Sequence, residues 1–408
     1  MKGLQKLFFV LSIVLLVNSH VSAQDKLIQD VTILSHDSLE GREIGTVGEL
    51  KAARYIANRF ADIGLSKAPH EDSFFQVFTK RLRAHPHDTL FTGKEVTGRN
   101  VLAYIDNSAE KTIVVGAHYD HLGWGGSGSL HTGDPAIHNG ADDNASGVAA
   151  LLSIAAALKK QKLSHNVLFI AFTGEEKGLL GSNYFINHLS SQPEELHFMI
   201  NMDMIGRLDT ARRLAVYGVG TSPSFIPALE SVPDQNFAFK LDSSGLGPSD
   251  HTSFYLNNVP VLHFFTGQHA QYHKPEDDVE LINFAGLNDV ITFISDLIFT
   301  LDKEESIAFT KTKDKKKGGK ERSFKVTLGI IPDYLFDGIG LKIDGTKPNR
   351  PADKAGLQKG DIILQLGDIK TNTMHDYVKV LGMHEKGDEV SIVYLRGTKT
   401  ISSIVLFD

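Results

Sequence analysis

Four short apolar runs in this chain each end in a turn that carries histidine or acidic residues. They are residues 112–116, Asn166–Phe172, residues 198–202 and residues 259–265. Each has strand length and a high share of β-branched or aromatic side chains, and helix-patterned stretches lie between them. Continuously apolar strands are buried on both faces, which calls for helices above and below the sheet and favours parallel pairing. The expected fold class is therefore α/β, with a mostly parallel central sheet flanked by helices. In such a sheet polar groups gather in the crevice beyond the strand ends.

The segments between these runs agree with that layout. Residues 25–35 have the pattern of a short amphipathic helix. Leu39-Glu-Gly-Arg-Glu-Ile-Gly-Thr46 is a Gly-punctuated loop, and residues 49–65 are again helical, with Gly64 as the stop. Residues 74–82 and 99–105 have strand character, and residues 283–301 form a long amphipathic helix that would close the domain.

At the N-terminus, Lys2 and Lys6 precede an apolar stretch over residues 7–17, and Val21-Ser-Ala23 offers small residues at a cleavage spacing. Residues 1–23 are expected to be a signal peptide, and the protein to be exported to a periplasm or secreted. No other stretch is long and apolar enough to span a bilayer, so no stable membrane anchor is expected. The net charge of −7 over 408 residues gives no overall basic surface for nucleic acid. The absence of cysteine excludes disulfides, thiolate metal sites and cysteine nucleophiles.

The strand ends carry the chemistry. The first run continues into Ala117-His-Tyr-Asp-His121, where the His-x-Asp spacing puts His118 and Asp120 on one face. The imidazole can then take a metal while Asp120 orients it. The Gly-rich loop over residues 123–140 follows, with Trp124, His131 and His138; it reads as the rim of a site. His121, His131 and His138 read as solvated or hydrogen-bonded histidines. Gly140-Ala-Asp-Asp-Asn-Ala-Ser-Gly147 runs into a helix at 148–158, and helix capping explains one acidic residue there better than two. Glu175 and Glu176 end the second run, Asp203 follows the third, and His273 follows the fourth. Two adjacent carboxylates at a strand end cannot point the same way, so one can bind metal while the other faces a water. His118, Asp142, Asp203, His273 and one of the two glutamates, Glu175 or Glu176, thus suit two zinc-like ions sharing one carboxylate, with the other glutamate left as a base.

These motifs, with Thr173-Gly-Glu-Glu-Lys-Gly178, Asn201-Met-Asp203 and Tyr272-His273, resemble the co-catalytic zinc aminopeptidases of metallopeptidase family twenty-eight. The resemblance implies that His118 and Asp203 hold one zinc and Glu176 and His273 the other, with Asp142 between them. It implies Glu175 as general base, Asp120 as the partner of His118, and Tyr272 as a donor to the developing oxyanion. Ser249-Asp-His251 resembles a family segment near the substrate pocket. The expected activity is removal of N-terminal residues from peptides with two zinc ions per chain. Glutaminyl cyclase or carboxypeptidase chemistry on the same fold is the alternative, as is a protein that only binds peptides.

The composition changes after Leu301. The catalytic domain is expected over 24–303 and a Lys-rich linker over 304–322, where residues 311–320 hold six lysines and no apolar side chain. Residues 323–408 resemble a PDZ domain through Thr327-Leu-Gly-Ile330 and Pro351-Ala-Asp-Lys-Ala-Gly-Leu-Gln-Lys-Gly-Asp361. Such domains take peptide C-termini by strand addition. Leu328, Gly329 and Ile330 would form the carboxylate loop, although Pro332 removes one amide donor nearby.

Overall fold

The computed structural model describes residues 23–82, 93–126, 128–189, 192–233, 236–312, 326–332, 336, 338–347, 349–371 and 374–407. The expected signal peptide, all but its last residue, and most of the Lys-rich run lie outside the described residues.

The first unit is an eight-stranded mixed sheet. Its strands are β1 (Phe75–Arg81), β2 (Glu95–Ile105), β3 (Thr112–His118), β4 (Asn166–Phe172), β5 (Leu196–Met202), β6 (Arg213–Tyr217), β7 (Ala238–Asp242) and β8 (Val261–Phe265). They lie in the order β1-β2-β4-β3-β5-β8-β6-β7. The centre, β4-β3-β5-β8, is parallel, whereas β1, β2 and the β6–β8 pairing are antiparallel. The helices are α1 (Ala23–Leu34), α2 (Val47–Ile63), α3 (Gly147–Leu158), α4 (Leu180–Asn187), α5 (Phe225–Ser231), α6 (His251–Tyr255) and α7 (Phe284–Leu301).

Alternation along the central strands divides the core into two layers. Val167, Phe169 and Ala171 of β4 pack with α1, α2, α3, α5 and α7, while Leu168, Ile170 and Phe172 face α4 and α6. Every residue of β4 and β5 is buried, as strands covered on both faces require. Gly116 in β3 is needed for this packing, because a Cβ there would sit 2.6 Å from the Phe172 ring. Local signals set the helix ends: Thr46 caps α2 by accepting the Glu49 N–H at 3.2 Å, and Gly64 closes it in the left-handed region.

Two expectations need correction. The α7 helix is long and apolar enough to cross a membrane, but its apolar residues, among them Val290, Ile294 and Leu297, are packed in the core. The first unit also extends past residue 303, where the expected domain boundary was placed. Ile307 is buried in the main core, the Thr310 N–H donates to Thr221 O at 2.7 Å, and Tyr255 Oη lies 2.8 Å from Thr312 Oγ1. Apolar and hydrogen-bonding contacts tie the chain to this body as far as Thr312, the last described residue before 326.

The second unit has β9 (Ile330–Pro332), β10 (Leu341–Thr346), β11 (Ile362–Leu366), β12 (Ile369–Lys370), β13 (Glu389–Arg396) and β14 (Lys399–Leu406), with α8 (Pro351–Lys354) and α9 (Met374–Leu381). All its strand pairs are antiparallel, around a separate core that includes Leu328, Ile343, Ile363, Ile392 and Val405. At residue 329 the chain is left-handed, and the Gly329 N–H donates to Thr327 Oγ1 at 3.0 Å. Ile330 to Pro332 form the edge strand, so Pro332 lacks its donor at the sheet edge where strands tolerate it.

Candidate metal centre

The ends of β3, β4, β5 and β8 meet at one open cleft, lined by His118, Asp143, Glu175, Glu176, Asp203 and His273 among others. His118 is the last residue of β3. Its Nδ1 lies 3.2 Å from the Asp120 carbonyl, which leaves Nε2 facing the cleft. His273 follows the same rule: its Nδ1 lies 2.8 Å from the Gly128 carbonyl, and Nε2 faces inward. A ring held through Nδ1–H by a carbonyl presents an unprotonated Nε2, the form that binds a metal. The loop over residues 123–140 is therefore more than a rim, since Gly128 and the Leu130 N–H, which donates to His273 O at 2.9 Å, hold a site residue.

The central carboxylate is Asp143, and the expectation for Asp142 is corrected. Asp143 Oδ1 lies 3.4 Å from His118 Nε2, and its Oδ2 lies 3.2 Å from His273 Nε2. Asp142 points away. Its Oδ1 accepts the Gly206 N–H at 2.7 Å and the Ser146 hydroxyl at 3.0 Å, and its Oδ2 lies 3.3 Å from His269 Nε2. The reason is the backbone: Asp143 and Asn144 leave helical geometry (φ −105°, ψ 89° and φ −135°, ψ 43°), and this turn swings the second aspartate inward. Gly140 starts the turn at φ +54°, where a Cβ would lie 2.1 Å from Asp143 O.

The other groups complete two sets. Asp203 Oδ1 lies 3.2 Å from His118 Nε2, and Glu176 Oε2 lies 3.4 Å from His273 Nε2. Four ligands about 2.0–2.1 Å from a tetrahedral zinc are about 3.3 Å apart. The four imidazole–carboxylate separations, 3.2–3.4 Å, match that edge length on both sides of Asp143. The nitrogen and oxygen donors also suit zinc. The residues present therefore fit two such ions, one between His118, Asp143 and Asp203 and one between Asp143, Glu176 and His273. His121 lies against the second set, with Nδ1, Asp143 and Glu176 ligand atoms all within 4.8 Å.

Charge in the cleft is polarised. Burial and the neighbouring Glu176 and Asp203 raise the Glu175 carboxyl well above the ordinary glutamate range, against the pull of His118. Burial opposes ionisation of Glu176 too, but His273 and His121 hold it well below the usual value. The two adjacent glutamates thus diverge. Asp120 is pushed up to about 7, first by burial. Its carboxylate lies 3.8 Å from His118 Nδ1, while its Oδ1 accepts the Glu175 N–H at 3.1 Å. The expected orientation of His118 by Asp120 is thus made through the backbone carbonyl, and the carboxylate positions Glu175 instead. Tyr272 stacks on His273 with ring centroids 3.8 Å apart and lines the cleft. Ser249 lines it as well and accepts the Asn201 amide at 2.8 Å, whereas Asp250 and His251 are fully buried behind.

Two supporting residues carried no legible signal. Asp277 Oδ2 accepts the N–H groups of both Asp142 and Asp143 at 3.0 Å, tying the His273 turn to the Asp143 turn. Arg42 is buried, and burial lowers its guanidinium to about 10. It donates to Tyr119 O at 2.7 Å, Asn139 O at 2.6 Å, Gly140 O at 3.1 Å and also Leu34 O. One cation thereby joins the end of α1 to the turn after His118 and to the turn that leads into Asp143. Arg42→Met is expected to cost about 3–5 kcal/mol, because it leaves several buried carbonyls unpaired at once. Urea unfolding of the metal-free protein measures this; an unchanged midpoint would contradict the clamp.

Residues 100–298 match the profile of peptidase family M28 and residues 306–405 that of a PDZ domain. The chain is similar to Aminopeptidase YwaD of Bacillus subtilis, 29% identical over 206 residues, 47% of this chain and 42% of that protein. It is also similar to Leucine aminopeptidase 2 of Trichophyton rubrum, 32% identical over 187 residues, 41% and 33% of the two chains. The chain spans less than half the length of these two relatives. Among solved structures, a zinc aminopeptidase from Bacillus subtilis superposes with a TM-score of 0.55 at 19% identity, covering 73% of this chain and 97% of that one. A glutaminyl cyclase from Bacteroides thetaiotaomicron gives 0.56 at 19%, covering 70% and 99%. These structural likenesses establish the shared fold.

Proposed function

Since the chain carries a peptidase family M28 domain followed by a PDZ domain, we propose that it is an aminopeptidase that works with two zinc ions. The observation that carries this reading is Asp143, whose two oxygens each stand at zinc-ligand spacing from a different imidazole. His118, Asp143 and Asp203 would hold one zinc, and Asp143, Glu176 and His273 the other. Zinc bound there would supply Lewis acidity, polarising the scissile carbonyl and lowering the pKa of water towards about 7.

The chain's own residues do the rest. Glu175 takes a proton from the attacking water as the new C–O bond forms. It returns that proton to the leaving amine as the C–N bond breaks, so no charge is left behind. Asp120 keeps Glu175 in place through its backbone N–H. Tyr272 donates its hydroxyl to the developing oxyanion. Met204, Tyr217 and Phe265 line the same cleft and receive the substrate's first side chain. The PDZ domain is a peptide-binding module, and capture of a peptide C-terminus beside β9 is part of the proposal. Export, supported by the residue pattern at 1–23, places this activity in a periplasm or outside the cell.

The test is release of arylamine from aminoacyl-arylamides. Turnover is expected in the purified protein, to be lost on incubation with a chelator, and to return with added zinc. Cyclisation of peptides with N-terminal glutamine, without arylamide turnover, would replace the reading with glutaminyl cyclase chemistry. Inactivity on both, with peptide binding intact, would leave a binding protein.

A further inference from the structure

Beside the proposed zinc sites, contacts fall into two distance classes. The imidazole–carboxylate pairs that fit zinc edges are 3.2–3.4 Å apart. His121 differs: its Nδ1 lies 2.9 Å from Glu176 Oε1, a hydrogen-bond length, and 3.9 Å from Asp143 Oδ2. Glu176 thus has its two oxygens committed differently, Oε1 to His121 and Oε2 to the cleft beside His273.

From this division we infer that His121 is a positioning residue for Glu176, donating Nδ1–H to Oε1 so that the carboxylate offers a cation Oε2 alone. The opposite edge of the ring supports the assignment. His121 Nε2 is buried and has no hydrogen-bond partner. A proton there would be a stranded donor, whereas a bare nitrogen costs less, so the single proton belongs on Nδ1. The seat is narrow: a Cβ on Gly140 would lie 2.5 Å from His121 Cδ2, so the glycine that starts the Asp143 turn also makes room for this ring. A fixed Glu176 keeps the Asp143–Glu176–His273 set at tetrahedral spacing and prevents the carboxylate from rotating to bind through both oxygens.

The inference rests on the zinc reading, and zinc titration separates the two. Wild-type protein and the variants His121→Leu and His121→Asn are stripped of metal and titrated with zinc against a chromophoric chelator. The amide nitrogen of Asn can stand where Nδ1 stands and keep the donor, but Asn is a poor zinc ligand. His121→Leu is expected to weaken the less tightly held zinc equivalent about 10–100-fold, the usual effect of losing such a partner. His121→Asn should stay within about threefold of wild type for the same reason. Equal losses in both variants would mean that His121 is itself a ligand, and no loss in His121→Leu would mean that it only packs; either overturns the inference. Should His121→Leu fail to fold, judged by the unfolding midpoint of the metal-free protein, His121→Gln takes its place. Its amide reaches the Nε2 position and must weaken zinc as Leu does. Wild-type protein that holds no zinc overturns the parent reading, whereas tight wild-type binding with an unaffected His121→Leu overturns this inference alone.

Discussion

Glu175→Gln is expected to keep the full zinc content of the wild type and to lose about 10²–10⁴-fold in kcat, the range that positioned acid–base groups supply. The side chain lines the cleft beside the two proposed zinc-ligand sets and is in neither group of possible metal ligands there. Burial and nearby carboxylates push its carboxyl well up, which makes it the stronger base of the two adjacent glutamates. Gln has the same shape and can still donate a hydrogen bond, but it cannot take a proton from water. KM for an aminoacyl-arylamide should therefore change little while kcat falls. Elemental analysis of the purified variant checks the metal, and steady-state kinetics checks the rate. Turnover near that of the wild type would remove Glu175 as the base.

The second large effect separates two neighbours in sequence. Asp143→Ala is expected to lose both zinc equivalents and to fall to background activity, because it removes a carboxylate whose two oxygens face both imidazoles, His118 and His273. Asp142→Asn should bind zinc within about 10–100-fold of wild type, as a supporting group one residue away would. Its cost should appear in stability instead, about 1–3 kcal/mol: Asn keeps the Oδ1 acceptor for the Gly206 N–H and the Ser146 hydroxyl, but puts a neutral amide in place of the buried carboxylate oxygen 3.3 Å from His269 Nε2. Zinc titration together with urea unfolding tests both halves. If Asp142→Asn emptied the site and Asp143→Ala did not, the central carboxylate would be the other aspartate.

Much of the fold was legible because its signals are local. The four apolar runs became β3, β4, β5 and β8 within a few residues, and β4 coincides with its run, Asn166–Phe172. Helix signals held similarly, Gly64 closing α2 and Asn283 capping α7 by accepting the Gly286 N–H at 3.0 Å. The central sheet is mostly parallel, as expected, but which of its pairings run antiparallel was not legible, since pairing direction depends on how distant strands meet and not on their own residues. The antiparallel β2–β4 pairing brings together segments separated by more than sixty positions, such as Leu102 and Ile170. The boundary after α7 shifted for a related reason. Ile307 and Phe309 look like residues of a polar linker until the hydrophobic surface that receives them is known.

Residue types and their places at strand ends were enough to establish that this chain builds an α/β sheet, gathers histidines and carboxylates at one edge, and carries a second β-rich unit. Those properties depend on burial periodicity and turn chemistry, which act over a few residues. Tertiary structure alone decided that Asp143 and not Asp142 faces both imidazoles, and that Asp277, Gly128 and Arg42 hold the facing groups in place. Adjacent aspartates are chemically identical, and only the path of the backbone through a turn, set by partners far along the chain, directs one of them inward.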